Sequence, residues 1–341
     1  MGVTIVIGGQ FGGEGKGKVA YFLAKEVDAK IAIRGGGTNS GHTVIDPKTK
    51  EPLILRQLPT ASILQDITCV LCAGSYINLE ILFDEIKKTG ISEKRLIIDP
   101  NAMIISETEL KEEKNGSLRA SIASTLSGTG AAVKRRIDRN RDVRLAKHED
   151  RLQQFIQPVV PFVRDNLSKG ENVIIEGTQG FGLSLLHSPY YPYVTSRDTT
   201  ASAFLSEAGL SPLDVDDIVM VIRTFPIRVG GNSGPLPDEI DWDTLTKESQ
   251  SKKPLFELTS VTKTIRRIAR FNADVVRQAI MVNQPTKVVL NHLDYIDPAN
   301  NESENVGEFI EKVEHLIGKQ INFLGYGPAN LENRTKALVK S

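Results

Sequence analysis

An excess of either charge is absent from this chain. Lys+Arg and Asp+Glu stand at 42 each among 341 residues, for a formal net charge of zero. Proteins that track a polyphosphate backbone carry a basic face, so this balance argues against a direct nucleic-acid partner. Cysteine is equally scarce. Cys69 and Cys72 are the only two, too few for a disulfide framework. Their C-x-x-C spacing falls inside an apolar run, ITCVLCAG, that reads as a buried strand rather than a redox or metal site. No apolar stretch approaches the ~18 residues of a membrane span. The chain enters a strand directly, without the charged region and apolar core of a signal peptide. A reduced, soluble, cytoplasmic protein with no membrane partner is expected.

What is abundant is glycine, 28 residues in all, and it is concentrated near the start. Gly8–Lys18 reads GGQFGGEGKGK, between the apolar run Val3–Ile7 and a helical stretch from Val19 to Glu26. Strand, glycine-rich loop and helix together make a phosphate site. The glycines let backbone N–H groups turn inward, and the helix N-terminus adds a positive partial charge. Lys16 supplies a full one. The match to the usual phosphate loop is imperfect. Five residues, not four, separate Gly9 from Gly15, and Gly17 stands where a magnesium-binding Ser or Thr would be.

Beyond the loop, apolar strands alternate with helices, which predicts an α/β chain with a mainly parallel central sheet and flanking helices. Strands are expected at residues 31–33, 53–58, 67–72, 95–98, 173–175, 218–222 and 288–291. Helices are expected over 79–88, over 149–167 with breaks at Pro158 and Pro161, and over 201–208 and 306–317. Residues 325–330 read as a final loop. His42 lies in a loop of small residues, GGGTNSGHT, which favours function over packing. Lys134–Arg144 is basic and follows the small-residue loop Ala123–Gly130. It reads either as a solvated helix face or as a phosphate clamp. LTSVTKTIRRIAR, residues 258–270, reads either as a basic helix start or as a pocket for a dicarboxylate.

GGQFGGEGKGK followed by GGGTNSGHT resembles the opening of adenylosuccinate synthetases, and the likeness continues in order along nearly the whole chain. It implies one domain, residues 1–341, with that family's P-loop-NTPase-like fold. It also implies a ligase that joins aspartate to the six position of a purine nucleotide at the expense of a nucleoside triphosphate. By the resemblance, Gly12, Glu14, Gly15, Lys16, Gly17, Gly41, His42 and Thr43 surround the phosphates of the donor. Asn291, Asp294, Gly327 and Pro328 surround its base. His42 is the general acid at the purine 6-oxygen, with Lys16, Gln179 and position 13 completing the catalytic set. Asn39, Thr129, Gly130, Gln179 and Thr195 hold the substrate nucleotide, and Arg139 reaches its phosphate across a homodimer interface. Ser260, Val261, Thr262 and Arg266 hold L-aspartate. Mg²⁺ falls at Gly13 and the Gly41 carbonyl.

Three departures bear on the substrate. The family opening is close to GxQWGDEGKGK, and here Gly13 replaces the aspartate thought to take the N-1 proton and bind Mg²⁺. Its loss is expected to open space beside N-1 and C-2, where guanine carries an amino group. Thr264 replaces an arginine near the ribose hydroxyls, which fits a deoxyribose. His292 replaces a lysine that packs on the donor guanine, so ATP or dATP is favoured over GTP as donor. Together these resemble the phage branch of the family. The expected reaction is then dGMP plus L-aspartate to 2-amino-2'-deoxyadenylosuccinate, for 2-aminoadenine DNA, in an infected bacterial host. The alternatives are IMP ligation with GTP, or an inactive nucleotide-binding relative.

Overall fold

The computed structural model describes residues 2–259, 263–300 and 302–334. Its centre is a sheet of nine successive neighbours, with Met103–Ile104 paired off this path to the end of the strand Thr68–Ile77. In chain order the nine are β1 (Val3–Gly8), β2 (Ala29–Gly36), β3 (Thr68–Ile77), β4 (Leu96–Ile98), β5 (Asn172–Glu176), β6 (Val215–Arg223), β7 (Lys287–Asn291), β8 (Phe323–Tyr326) and β9 (Asn330–Asn333). They lie in the order β9-β8-β7-β6-β1-β5-β2-β3-β4. Every adjacent pair is parallel except the hairpin β8–β9.

β1 is central and buried along its whole length. A strand covered on both faces needs a nearly continuous apolar run, and VTIVI supplies it. The chain leaves β1 through the glycine loop into α1 (Lys16–Glu26) and returns as β2 on one side; β6 lies against the other. Ligands in open α/β sheets bind where strand order diverges in this way, beyond the carboxyl ends. The loop stands at that place.

Two large apolar cores cover opposite sides of the sheet. Cys69 belongs to one and Cys72 to the other. Burial pushes both thiols up to about 12, so neither is a reactive thiolate near neutral pH. Among the described residues no helix is long and apolar enough to cross a membrane.

Local chemistry explains where the structure departs from expectation. The stretch 149–167 divides into a 3-10 turn, Asp150–Phe155, and a helix, Val159–Ser168. Pro161 falls in that helix's first turn, where a missing N–H costs little. Residues 325–330 are the end of β8 and the tight turn into β9 rather than a loop. Residues 263–270 are not helical: Lys263 is left-handed at φ 54°, and a short strand follows. Arg267–Ala269 pairs with Ile227–Arg228 and with Glu239–Ile240 in a small antiparallel sheet, burying Ile268 while Arg267 points away. Strand pairing on both sides and burial of Ile268 and Ala269 outweigh the helix propensity of arginine there. Helices Trp242–Glu248 and Asp274–Asn283 were not anticipated. The first is capped by Asp241, which accepts the Thr244 N–H at 2.7 Å.

Candidate active site

The glycine loop is braced from inside. Glu14 is fully buried, and its carboxylate accepts the N–H groups of Gly12 (2.8 Å) and Gln10 (3.2 Å). Lys16 Nζ sits 2.6 Å from the same carboxylate. Glu14 was expected at the donor phosphates; its side chain instead turns into the loop and holds Lys16 in position. Gly15 caps α1 at φ 88°, with no side-chain cap on the helix. A Cβ at Gly15 would lie 2.7 Å from Asn291 Nδ2, which donates to the Glu14 carbonyl at 2.7 Å. Only glycine suits both the dihedral angle and the contact. The first turn of α1 is therefore left for an anion. Lys18 donates to the carbonyls of Gly327 (2.9 Å) and Asn330 (3.0 Å). Burial lowers its pKa to about 8.

His42 opens a short hairpin, His42–Ile45 with Pro52–Leu55, beside the end of β5. Its Nδ1 lies 2.5 Å from Glu176 Oε1. Glu176 also accepts the Thr60 N–H at 2.7 Å and faces Arg34 at 3.4 Å. Burial lowers the His42 pKa to about 4, assisted by Arg34 and Lys16 and opposed by Glu176. Burial alone would raise the pKa of Glu176, but the His42 hydrogen bond and Arg34 hold it below the usual range. An ionised Glu176 accepts, so Nδ1 carries the hydrogen and Nε2 keeps its lone pair.

These groups share a cavity of about 300 Å³. It gathers Gly12, Gly13, Gly15, Lys16, Gly17, Asn39, Gly41, His42, Thr43, Gln179, Arg266, Gly327 and Pro328. A connected recess of about 160 Å³ shares Asn39 and Gln179 and adds Thr129, Gly130 and Thr195. Asn39 Nδ2 donates to Thr195 Oγ1 at 3.3 Å. Gln179 has φ 64°, a left-handed conformation unusual for a non-glycine residue and frequent at working sites. Not every expected residue faces the cavity. Asn291 stands behind Gly15. Asp294 Oδ1 accepts the Gly327 N–H at 2.8 Å. The N–H groups of Gly128, Gly130 and Ala131 are all accepted by the buried Glu113 carboxylate, so this helix start is already capped. Arg139 is exposed at the far end of the same helix. Ser260, Val261 and Thr262 lie outside the described residues.

The sequence reading missed Thr125, which lines both recesses, and Glu257, which lines the larger. Glu257 bonds the fully buried Arg223 and accepts the Tyr295 hydroxyl at 2.9 Å. Burial opposes ionisation, but Arg223 and His292 hold its pKa at about 2. Thr125 lay in a loop already marked. Nothing in the sequence marked Glu257, whose partners lie 34 and 38 residues away.

The family model described as adenylosuccinate synthetase matches residues 5–149 and 141–303. The chain is 36% identical over 338 residues to the adenylosuccinate synthetase of Methanocaldococcus jannaschii, covering 95% of this chain and 94% of that one. The chain belongs to the adenylosuccinate synthetase family. It is a carbon–nitrogen ligase of purine biosynthesis, of a family that depends on a nucleoside triphosphate. The synthetase of Pyrococcus horikoshii is 34% identical, with 96% of each chain covered. Among solved structures, succinoaminodeoxyadenylate synthetase of cyanophage S-2L, bound to dGMP and to dATP as an energy donor, superposes with a TM-score of 0.83. It has 27% identity and covers 99% of this chain and 97% of that one. Adenylosuccinate synthetase from Plasmodium falciparum has the same fold, with a TM-score of 0.85 at 20% identity, covering 98% and 100% of the two chains.

Against that family background, position 13 is not the opening that was expected. Gly13 has φ 69°, and a Cβ there would fall 2.5 Å from Ile227 Cδ1. The Ile227 methyl stands where a side chain would begin. The Gly13 carbonyl accepts from Arg223 at 2.8 Å, so it faces a guanidinium. Among the described residues no cluster of three His, Cys, Asp or Glu is placed to hold a metal. Position 13 therefore does not fit the Mg²⁺ ligand role; the Gly41 carbonyl remains on the cavity wall.

Proposed function

We propose that this ligase condenses L-aspartate with dGMP, using ATP or dATP, to give 2-amino-2'-deoxyadenylosuccinate. The observation that carries the reading is Gly13: at the purine pocket the chain presents glycine backed by a hydrocarbon, with no carboxylate. The likeness to the cyanophage enzyme, whose complex holds dGMP and dATP, supports it, as does Thr264 in place of an arginine near the ribose. The Thr264 hydroxyl lies 3.2 Å from that of Thr259. The second reading, IMP with GTP, is favoured by the archaeal relatives, all of them named as adenylosuccinate synthetases.

In the proposed reaction the purine 6-oxygen attacks the donor's γ-phosphorus. The aspartate amine then adds at C-6, and phosphate leaves. Lys16 and the N-terminus of α1 bind the transferring phosphoryl group, so charge stabilisation and positioning carry most of the catalysis. His42 enters neutral, with Nε2 unprotonated, and must gain a proton before it can act as an acid at the 6-oxygen. Arg266, on the cavity wall, takes a carboxylate of aspartate, while Asn39, Gln179 and Thr195 orient the nucleotide. One Asp294 oxygen is committed to Gly327, which leaves the other to read the donor base. Arg139, too far along its helix to serve its own cavity, reaches the nucleotide phosphate of a second protomer in a homodimer. The setting is the cytoplasm of an infected bacterial host. Mass spectrometry of the product made from dGMP, aspartate and ATP tests the reading directly. A product with the mass of dGMP plus aspartate less water supports it; no such product from dGMP, with an adduct of IMP plus aspartate less water formed when IMP is supplied instead, refutes it.

A further inference from the structure

Ile227 belongs to the short strand Ile227–Arg228, in register with Ile268. It is 1% exposed and packs in a core with Phe225, Leu245 and Ile268. Its body is therefore fixed by packing that has nothing to do with the glycine loop. From this anchored position Cδ1 and Cγ1 stand 2.5 and 3.2 Å from where a Cβ of residue 13 would be. The next neighbour, a guanidinium nitrogen of Arg223, is 3.5 Å away. Real Cβ atoms do not approach carbon at 2.5 Å, so a side chain at 13 requires the Ile227 δ-methyl to turn out of its position and into the core packed around it. Gly13 lines the cavity, whereas Ile227 lies behind it.

We propose that Ile227 is a specificity-determining residue acting through Gly13: its δ-methyl keeps position 13 free of a side chain and thereby sets the purine that the pocket accepts. The inference rests on the ligase reading above. With the methyl in place, any residue larger than glycine must either turn that methyl into the core of Phe225, Leu245 and Ile268 or push the glycine loop forward into the nucleotide pocket. The loop carries Lys16 and leads into the N-terminus of α1, so the displacement disturbs phosphoryl transfer as well as purine fit. Removal of the one methyl, as in I227V, leaves the strand and its core in place while allowing a carboxylate at 13 to settle without moving the loop. Ile227 is thus a positioning residue, and its effect is visible only in combination with position 13.

Two measurements on the full-length protein test this. The first needs no substrate: thermal unfolding of wild type, G13A, I227V and the double variant. The left-handed strain at residue 13 is the same in both backgrounds and cancels, so steric exclusion predicts that G13A lowers Tm less when combined with I227V. Additive shifts would overturn the proposal whatever the enzyme's substrate. The second measures kcat and KM with dGMP and with IMP for wild type, I227V, G13D and G13D/I227V. I227V should keep dGMP turnover within about threefold of wild type. G13D alone should lose at least about a hundredfold in kcat on dGMP, as misplaced reacting groups do, without gain on IMP. G13D/I227V should recover at least tenfold in kcat on IMP over G13D. Equal IMP activity with and without I227V would refute the role of Ile227, as would no recovery in a double variant that melts like wild type. If wild type turns over IMP and not dGMP, the dGMP reading fails. The coupled Tm shifts would then still stand as evidence for the pairing.

Discussion

Replacing Glu176 with Gln should separate the protein's stability from its chemistry at one buried atom pair. The carboxylate is 1% exposed and serves four donors: His42 Nδ1 at 2.5 Å, the Thr60 N–H at 2.7 Å, the Thr60 hydroxyl at 2.8 Å and Arg34 at 3.4 Å. An amide keeps the shape but removes the charge that Arg34, itself 1% exposed, relies on. Breaking a buried ion pair from one side costs ~3–5 kcal/mol. Arg34 keeps the Leu58 and Leu55 carbonyls at 2.9 and 3.2 Å, so the lower end of that range is expected. The chemical effect is separate. An amide can present N–H to Nδ1 and reverse the imidazole tautomer, leaving the wrong nitrogen toward the substrate. Loss of a correctly placed proton-transfer group costs ~10²–10⁴-fold. E176Q should therefore lose on the order of a hundredfold or more in kcat, with a much smaller change in KM for the purine nucleotide. The assays are phosphate release and ¹⁵N NMR of the labelled imidazole. Undiminished kcat together with the original Nδ1–H tautomer would refute the reasoning.

Acid should destabilise the fold in a defined window. The folded pKa of His42 is lowered to about 4 and that of His292 to about 3, by burial first. Near pH 6 the unfolded chain then binds more protons, so stability is full above pH ~6.5 and falls as pH drops toward 4; Tm measured from pH 7.5 to 4.5 should decline, and less steeply in H42Q. G15A should cost ~1–3 kcal/mol for a left-handed dihedral, plus the clash with Asn291, and phosphate release should fall far more than Tm suggests. Cys69 and Cys72, with pKa values pushed up to about 12, should resist a thiol reagent in the native protein and react only on unfolding.

The sequence made the centre of this molecule legible for identifiable reasons. β1 is buried on both faces, so its residues had to be apolar almost without interruption. The glycines after it had to permit left-handed backbone, and both requirements leave marks at single positions. His42 was visible because a histidine among glycines has little packing role. The helix expected over 201–208 is found at those bounds, and Thr200 caps it. What escaped depends on contacts between distant segments. Glu14 looks like a ligand residue within its motif, and only the fold shows its carboxylate returning to the loop that carries it. The loss of a side chain at 13 looks like an opening until Ile227, more than two hundred residues away, is seen to fill it. The stretch 258–270 reads equally as a basic helix start and as a dicarboxylate pocket, because the strands that Arg267–Ala269 pairs with, at 227–228 and 239–240, are only two residues long each.

The central claim is that the purine pocket is made for a 2-amino purine deoxynucleotide. The most direct test is the ratio of kcat/KM for dGMP to that for IMP, measured by phosphate release with saturating aspartate, ATP and Mg²⁺ and repeated with dATP and GTP. The account predicts a ratio well above one with ATP or dATP. A ratio below one with every donor would contradict it and place this chain with the ligases that act on IMP.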